Sequence, residues 1–207
     1  MRQLTISRKT VRGQFMAEKM DDTRAKAILT SAFQAFSAYG FRKTSMDDIA
    51  RGAGMSRPAV YLHYKNKEAI VRSLTQAHYA EKIAAVAQAL QGDGTVSEIL
   101  ARAIDAQIAG MAAILASPHG LEMLDTSKST AADIVAEGEA ALADLYAEWL
   151  ERELAAGRVR LPDGPAETAR TITAALKGIK MTASNAEEFE QRIAQLTALI
   201  GAGLEVR

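Results

Sequence analysis

The sequence predicts an all-α chain of about nine helices, arranged as a small helical head and a larger helical body. Three observations carry that prediction. Apolar residues make up 48% of the 207, chiefly Ala, Leu and Ile, with only four Pro, and such small or unbranched side chains lose least on entering a helix. They recur at three- and four-residue spacing, and no segment sustains period-two alternation with β-branched residues, so no sheet is expected. Charge is split along the chain. Thirteen of the 25 Lys and Arg but only five of the 25 acidic residues fall in 1–67, leaving about +8 there and about −8 beyond. Such asymmetry is a prior for nucleic-acid binding by the basic part.

Residues 1–20 hold five basic residues, one acidic residue and no clear periodicity, and are expected as a basic disordered arm. Met16 and Met20 offer alternative starts downstream. From Asp21 to Tyr39, Ile28, Leu29, Ala32, Phe33, Phe36 and Tyr39 mark one buried helix face, and Gly40 supplies the left-handed end. Thr44-Ser45-Met46-Asp47 has the outline of a capping box, opening a short helix that Gly54 closes. Ser56 caps a third helix with Pro58 in its first turn. Asn66 caps a fourth, from Lys67 to about Leu90, which ends at Gln91-Gly92-Asp93-Gly94. The spacing then predicts helices over Thr95–Ala116, roughly Gly120–Ser129, and Ala132–Ala156. Leu161-Pro162-Asp163-Gly164-Pro165 is a loop. Helices over Ala166–Ala183 and Ala186–Leu204 complete the chain.

Cysteine is absent, which excludes disulfides, thiolate catalysis and Cys-bound zinc and suits a reducing cytoplasm. No apolar run is expected to reach the ~18 residues of a membrane span, and the N-terminus lacks the apolar stretch of a signal peptide. The chain is therefore expected to be cytoplasmic, with no membrane partner. The histidines, His63, His78 and His119, sit on separate helices, none with a partner at ligand spacing. With no His-Glu-x-x-His, Gly-rich phosphate loop or nucleophile motif, no enzyme, catalytic residue, metal or cofactor is expected.

Between Thr44 and Lys67 the spacing fits a helix-turn-helix, whose second helix enters the major groove while the first braces on the backbone. Ile49, Ala50 and Ala53 face Val60 and Tyr64, with a Gly-Met-Ser turn between them. Outward positions fall at Arg57, Pro58, Ala59, Tyr61, Leu62 and His63. Arg57 can fork onto guanine, and Pro58, Ala59 and Leu62 can touch a thymine methyl. Tyr61, His63, Lys65 and Lys67, with the N–H groups at the Thr44 and Lys67 helix starts, can contact phosphates. Plainer readings stand beside these: Tyr61 as a packing residue, His63 as a surface ring.

The run from Phe41 to Glu68, Phe-Arg-Lys-Thr-Ser-Met-Asp-Asp-Ile-Ala-Arg-Gly-Ala-Gly-Met-Ser-Arg-Pro-Ala-Val-Tyr-Leu-His-Tyr-Lys-Asn-Lys-Glu, resembles the DNA-binding domain of the tetracycline-repressor (TetR) family. The Gly-Phe-x-x-Thr-Ser entry, Asp-Ile-Ala bracing helix, Ala-Gly-Met-Ser turn and Lys-x-Lys-Glu exit carry the resemblance over about 21–70. Beyond it only the number and length of helices correspond. By position, the resemblance implies that Arg57, Pro58, Ala59 and Leu62 face bases and that Thr44, Tyr61, His63 and Lys67 hold phosphates. Ala59 departs from the family's usual Thr or Ser, and Leu62 from its His or Trp, so base readout leans on Arg57.

The body, 68–207, is then expected to bind an effector and dimerise, with the head at 21–67. Met111, His119, Met123, Tyr146, Trp149 and Met181 are pocket candidates, soft Met side chains suiting adaptable apolar sites; the plain alternative for each is core. Ile172, Leu176, Ile179, Phe189, Ile193, Leu196 and Ile200 on the last two helices are expected to form a four-helix interface between two copies. The expected whole is a homodimeric repressor on a palindromic duplex operator, released by a small, largely apolar effector. An activator, or a regulator without a ligand, is the alternative with the same fold, and an all-α enzyme is the remote one.

Overall fold

A computed structural model of the chain describes residues 8–205, with side chains from Asp22 onward. Ten helices and no strand occur among the described residues: α1 (Arg8–Tyr39), α2 (Met46–Gly52), α3 (Arg57–His63), α4 (Lys67–Ala89), α5 (Val96–Ile108), α6 (Met111–Ala116), α7 (Gly120–Thr130), α8 (Ala132–Ala155), α9 (Pro165–Thr182) and α10 (Ala186–Leu204). The all-α expectation holds. The backbone of 8–20 is helical, replacing the disordered arm expected there; Gly13 is the one strong helix-weakener in that stretch. The first seven residues of that arm lie outside the described residues.

The tenth helix comes from a break inside the span expected as one helix over 95–116. Gly110 takes φ +79°, a conformation that favours glycine, and divides α5 from α6. The stretch from Val96 to Ala116 is long and apolar enough to cross a membrane by composition, which corrects the expectation that no run comes near that length. From this stretch Ile99, Leu100, Ala103, Ile104 and Met111 lie in the body's core.

Two cores organise the chain. Ile28, Ala32 and Phe36 of α1 close over Met46, Ile49, Ala50 and Val60, and Ile70 and Val71 of α4 complete that head core. The body core is built around Tyr146, Trp149 and Leu150 of α8, against Val86, the α5 residues, Ile172 and Leu176 of α9, and Phe189 and Ile193 of α10. Helix α4 contributes to both. The two parts also touch through α7: the His119 N–H donates to Ser37 O at 3.2 Å, and Met123 packs on the head core. Arg72 of α4 forks onto Asp133 at 2.7 and 2.6 Å and donates to Thr130 O at 3.1 Å, tying α4 to the start of α8. This guanidinium pulls the Asp133 carboxyl down to about 2.

Candidate nucleic-acid interface and body cavity

Helix α3 is short and fixed at three points. The Ser56 hydroxyl accepts from the Ala59 N–H at 3.4 Å, Pro58 sits in the first turn, and Val60 is wholly buried. What remains points outward. Leu62 is 88% exposed and Tyr61 42%; Arg57, Pro58 and Lys65 are exposed, while Ala59 and His63 are half-buried. Arg57 is poised by its neighbours: Nη1 lies 3.2 Å from Asp47 Oδ2 of α2, and its guanidinium carbon sits 5.5 Å from the Tyr61 ring centroid. Tyr61 is thus an exposed partner of Arg57 and not a core residue. The exposed cations Arg42, Lys43 and Arg51 flank the same helix pair.

Close approach of α2 to α1 sets the bracing angle. The Ser31 hydroxyl donates to Ile49 O at 2.8 Å, and a β-carbon on Gly52 would overlap that hydroxyl.

Two sequence assignments change here. The capping box is formed by Ser45 and Asp48, one position later than Thr44 and Asp47: the Ser45 N–H donates to Asp48 Oδ2 at 3.0 Å and the Asp48 N–H to Ser45 Oγ at 3.2 Å. The Ser45 hydroxyl, donating to Asp48 Oδ2 at 2.6 Å, and after it the Ser45 N–H hold the Asp48 carboxyl below its ordinary range. Thr44 is buried, with its hydroxyl donating to Gly40 O at 2.8 Å, so its side chain faces away from a phosphate. Lys67 is also engaged inside the head. Its ammonium donates to Phe41 O at 2.6 Å and Thr44 O at 2.7 Å and sits 4.5 Å from the Phe41 ring centroid. Lys67 therefore clamps the α1–α2 connection, where the sequence reading had it as a phosphate ligand.

In the body, a cavity of about 360 Å³ opens between α1, α4, α6, α7, α8 and α9, within the range of small-molecule sites. Of the six pocket candidates, Met111, Met123 and Met181 line it. Tyr146 and Trp149 are wholly buried core; the Tyr146 hydroxyl donates to Gln107 Oε1 at 2.9 Å, and the Trp149 indole N–H has no partner among the described residues. His119 is a joint between body and head, its Nδ1 2.9 Å from Glu122 Oε2 beneath Gly40. Sequence reasoning missed the rest of the wall, notably Phe33 and Phe36 from the head and Leu74, His78 and Tyr79 from α4. Phe33, placed by its spacing on the buried face of α1, is 39% exposed toward this cavity, and no local sequence signal marks that.

The expected dimer set turns inward. Ile172, Leu176, Phe189 and Ile193 are buried within the protomer, and Ile179, Leu196 and Ile200 are half-buried against the same core. Periodicity marks an apolar face but not its partner, and here α8 and α5 already cover those faces. The outward stripes are Ala174, Gly178 and Thr182 on α9, and Gln195, Leu199 and Ala202 on α10.

A family model described as bacterial regulatory proteins of the tetR family matches residues 28–74, the span of the head core. Over 66 residues the chain is 41% identical to the HTH-type transcriptional regulator EthR of Mycolicibacterium smegmatis, covering 32% of this chain and 30% of that protein. The aligned segment thus spans about three tenths of that relative's length. A longer match, 27% identical over 187 residues, joins the chain to the HTH-type transcriptional repressor Rv1474c of Mycobacterium tuberculosis, covering 86% and 90% of the two. The fold of SmeT, the repressor of the Stenotrophomonas maltophilia multidrug efflux pump SmeDEF, superposes with a TM-score of 0.68 at 17% identity, covering 88% and 90%. SmeT in complex with triclosan superposes equally well at 16% identity, covering 89% and 92%. The head at residues 28–74 thus matches the tetR family of bacterial regulatory proteins, and the chain as a whole shares its fold with SmeT.

Proposed function

We propose that the chain is an operator-binding transcriptional repressor that works as a homodimer and is released from DNA by a small, largely apolar effector. One observation carries the reading: the body cavity is walled both by head residues, Phe33 and Phe36, and by Val71, Leu74, Thr75, His78 and Tyr79 of α4. An occupant there touches the helix that joins head to body and the helix on which the reading head packs. A small tilt of α4 would move Arg57 relative to its twin. Release requires that the effector prefer the tilted state, because equal affinity for both states shifts nothing.

In this reading Arg57, Pro58, Ala59 and Leu62 meet base edges, while Tyr61, His63 and Lys65 meet phosphates. The second copy would seat on the outward stripes of α9 and α10, whose small residues allow close helix approach. The repressor names of Rv1474c and SmeT, and the triclosan complex of SmeT, support the reading.

Sequencing the genomic fragments that the purified protein retains supplies the operator. Gel-shift titration of that operator with candidate ligands is expected to release the protein as the cavity fills. Tight ligand binding with undiminished operator affinity would refute release by an effector. Sedimentation as a monomer at operator-binding concentrations would refute the dimer.

A further inference from the structure

The effector cavity adjoins a second one of about 370 Å³ between α4, α5, α6, α8, α9 and α10. The two share the walls His78, Tyr79, Met111, Glu139, Lys177 and Lys180. The first chamber is apolar, with Phe33, Leu74, Met123 and Leu124 on its walls. The second is cationic, and its charges do not balance. Glu139 is its one carboxylate, and Lys177 occupies it at 2.6 Å. Arg170 pairs with Glu167 at 2.6 Å. Lys82, only 5% exposed, has as its hydrogen-bond partner the carbonyl of Ala109 at 2.7 Å. Lys180, with burial and the neighbouring Lys177 and Lys128 holding its ammonium below its ordinary range against the pull of Glu139, has no carboxylate within ion-pair distance among the described residues.

His78 sits between the chambers, and burial followed by the fields of Lys82 and Lys180 pushes its pKa down. Both lysine charges therefore converge on the shared wall. A buried ammonium without a counter-ion is unfavourable in the empty protein. An anionic group placed there supplies the missing charge, and its hydrogen bonds to ammonium are of the stronger, charge-assisted kind.

We infer that the two chambers form one site for a small amphipathic anion, whose apolar body lies against Phe33, Leu74 and Met123 and whose anionic oxygens sit between Lys82 and Lys180. This rests on the effector reading above and narrows the ligand class from apolar to acidic amphiphile. Asp125 and Lys128 also line the apolar chamber with opposite charges, so the net positive field comes from the shared wall and from Lys82 in the second chamber.

The test is calorimetric titration of the full chain with decanoate, decanol and decylammonium, which share one tail and differ in head charge. Decanoate is expected to bind about tenfold or more tighter than decanol, and decylammonium more weakly than both. Lys82→Met and Lys180→Met should each remove about tenfold of decanoate affinity while changing that of decanol by less than about twofold. Lys180→Met should melt no lower than the parent, because removing an uncompensated buried cation does not by itself destabilise, whereas Lys82→Met also strips the Ala109 carbonyl of its donor and should melt somewhat lower; if one fails to fold, the other gives the same readout. Decanoate binding no better than decanol, or a preference that survives in the folded variants, overturns the anionic site and leaves the effector cavity standing. Failure of all three probes to bind overturns the cavity reading itself.

Discussion

Replacing Leu62 by Ala isolates the apolar part of base reading. The side chain is 88% exposed, so folding stability should change by no more than about 0.5 kcal/mol. Leu→Ala removes three carbons, each contributing about 0.8 kcal/mol when fully buried. A side chain pressed against one wall of the major groove buries only part of that, giving an expected loss of about 1–2 kcal/mol, or about 5- to 30-fold in Kd. No charge is removed, so the slope of log affinity against log salt should not change. Fluorescence anisotropy on the operator, and on copies with single thymines replaced by uracil, forms a double-mutant cycle. One thymine per half-site should show a methyl effect that vanishes in Leu62→Ala. Unchanged operator affinity, or a loss equal on all duplexes, would refute the assignment of Leu62 to a base.

Three further outcomes follow from the same geometry. Gly52→Ala drives a methyl into the Ser31 hydroxyl; overpacking of about 1–3 kcal/mol against a helix-propensity gain of about 1 should leave the head less stable, seen as a lower melting temperature, and an unchanged melt would contradict the close α1–α2 contact. Lys67→Met strips the clamp from two carbonyls and should lower stability by about 1.5–3 kcal/mol in denaturant titration without altering the salt slope of DNA binding, whereas Lys65→Met should flatten that slope by about 0.9 and leave stability alone. The Asp133 carboxyl, lowered from 3.8 to about 2 by Arg72, favours the folded state above its unfolded pKa and loses that effect as pH falls through about 2. The stability gap between the parent and Asp133→Asn should accordingly be constant near neutrality and close between about pH 4 and pH 2, and a gap that persists to the acid limit would contradict the ion pair.

The head was legible because its signals are local. Gly40, Gly54, Ser56 and Asn66 each mark a helix end through their own backbone or side chain, and all four ends fall where the sequence puts them. The capping box slipped by one because Thr44…Asp47 and Ser45…Asp48 satisfy the same spacing; only burial of Thr44 chooses between them. Gly110 hid inside an apolar run, where nothing local announces a positive φ. The cavity was legible only as a scatter of Met residues. His78, Lys82, Glu139 and Lys180 look in sequence like ordinary charges on amphipathic helices, and their convergence depends on how α4, α8 and α9 cross. The inward turn of Ile172, Leu176, Phe189 and Ile193 was hidden for the same reason: an apolar stripe on α9 does not reveal that α8 of the same copy covers it.

Helix α4 gives its first turns to one core through Ile70 and Val71, and its middle to the other through Tyr79 and Val86. A cut at residue 67 would leave the DNA reader with a hole where two aliphatic side chains belong. Grafting this head onto another body therefore calls for a splice downstream of Leu74, in mid-helix, with the helical phase preserved. The same sharing makes melting of the body contagious: once α4 frays at Tyr79, the head loses the rod on which it stands.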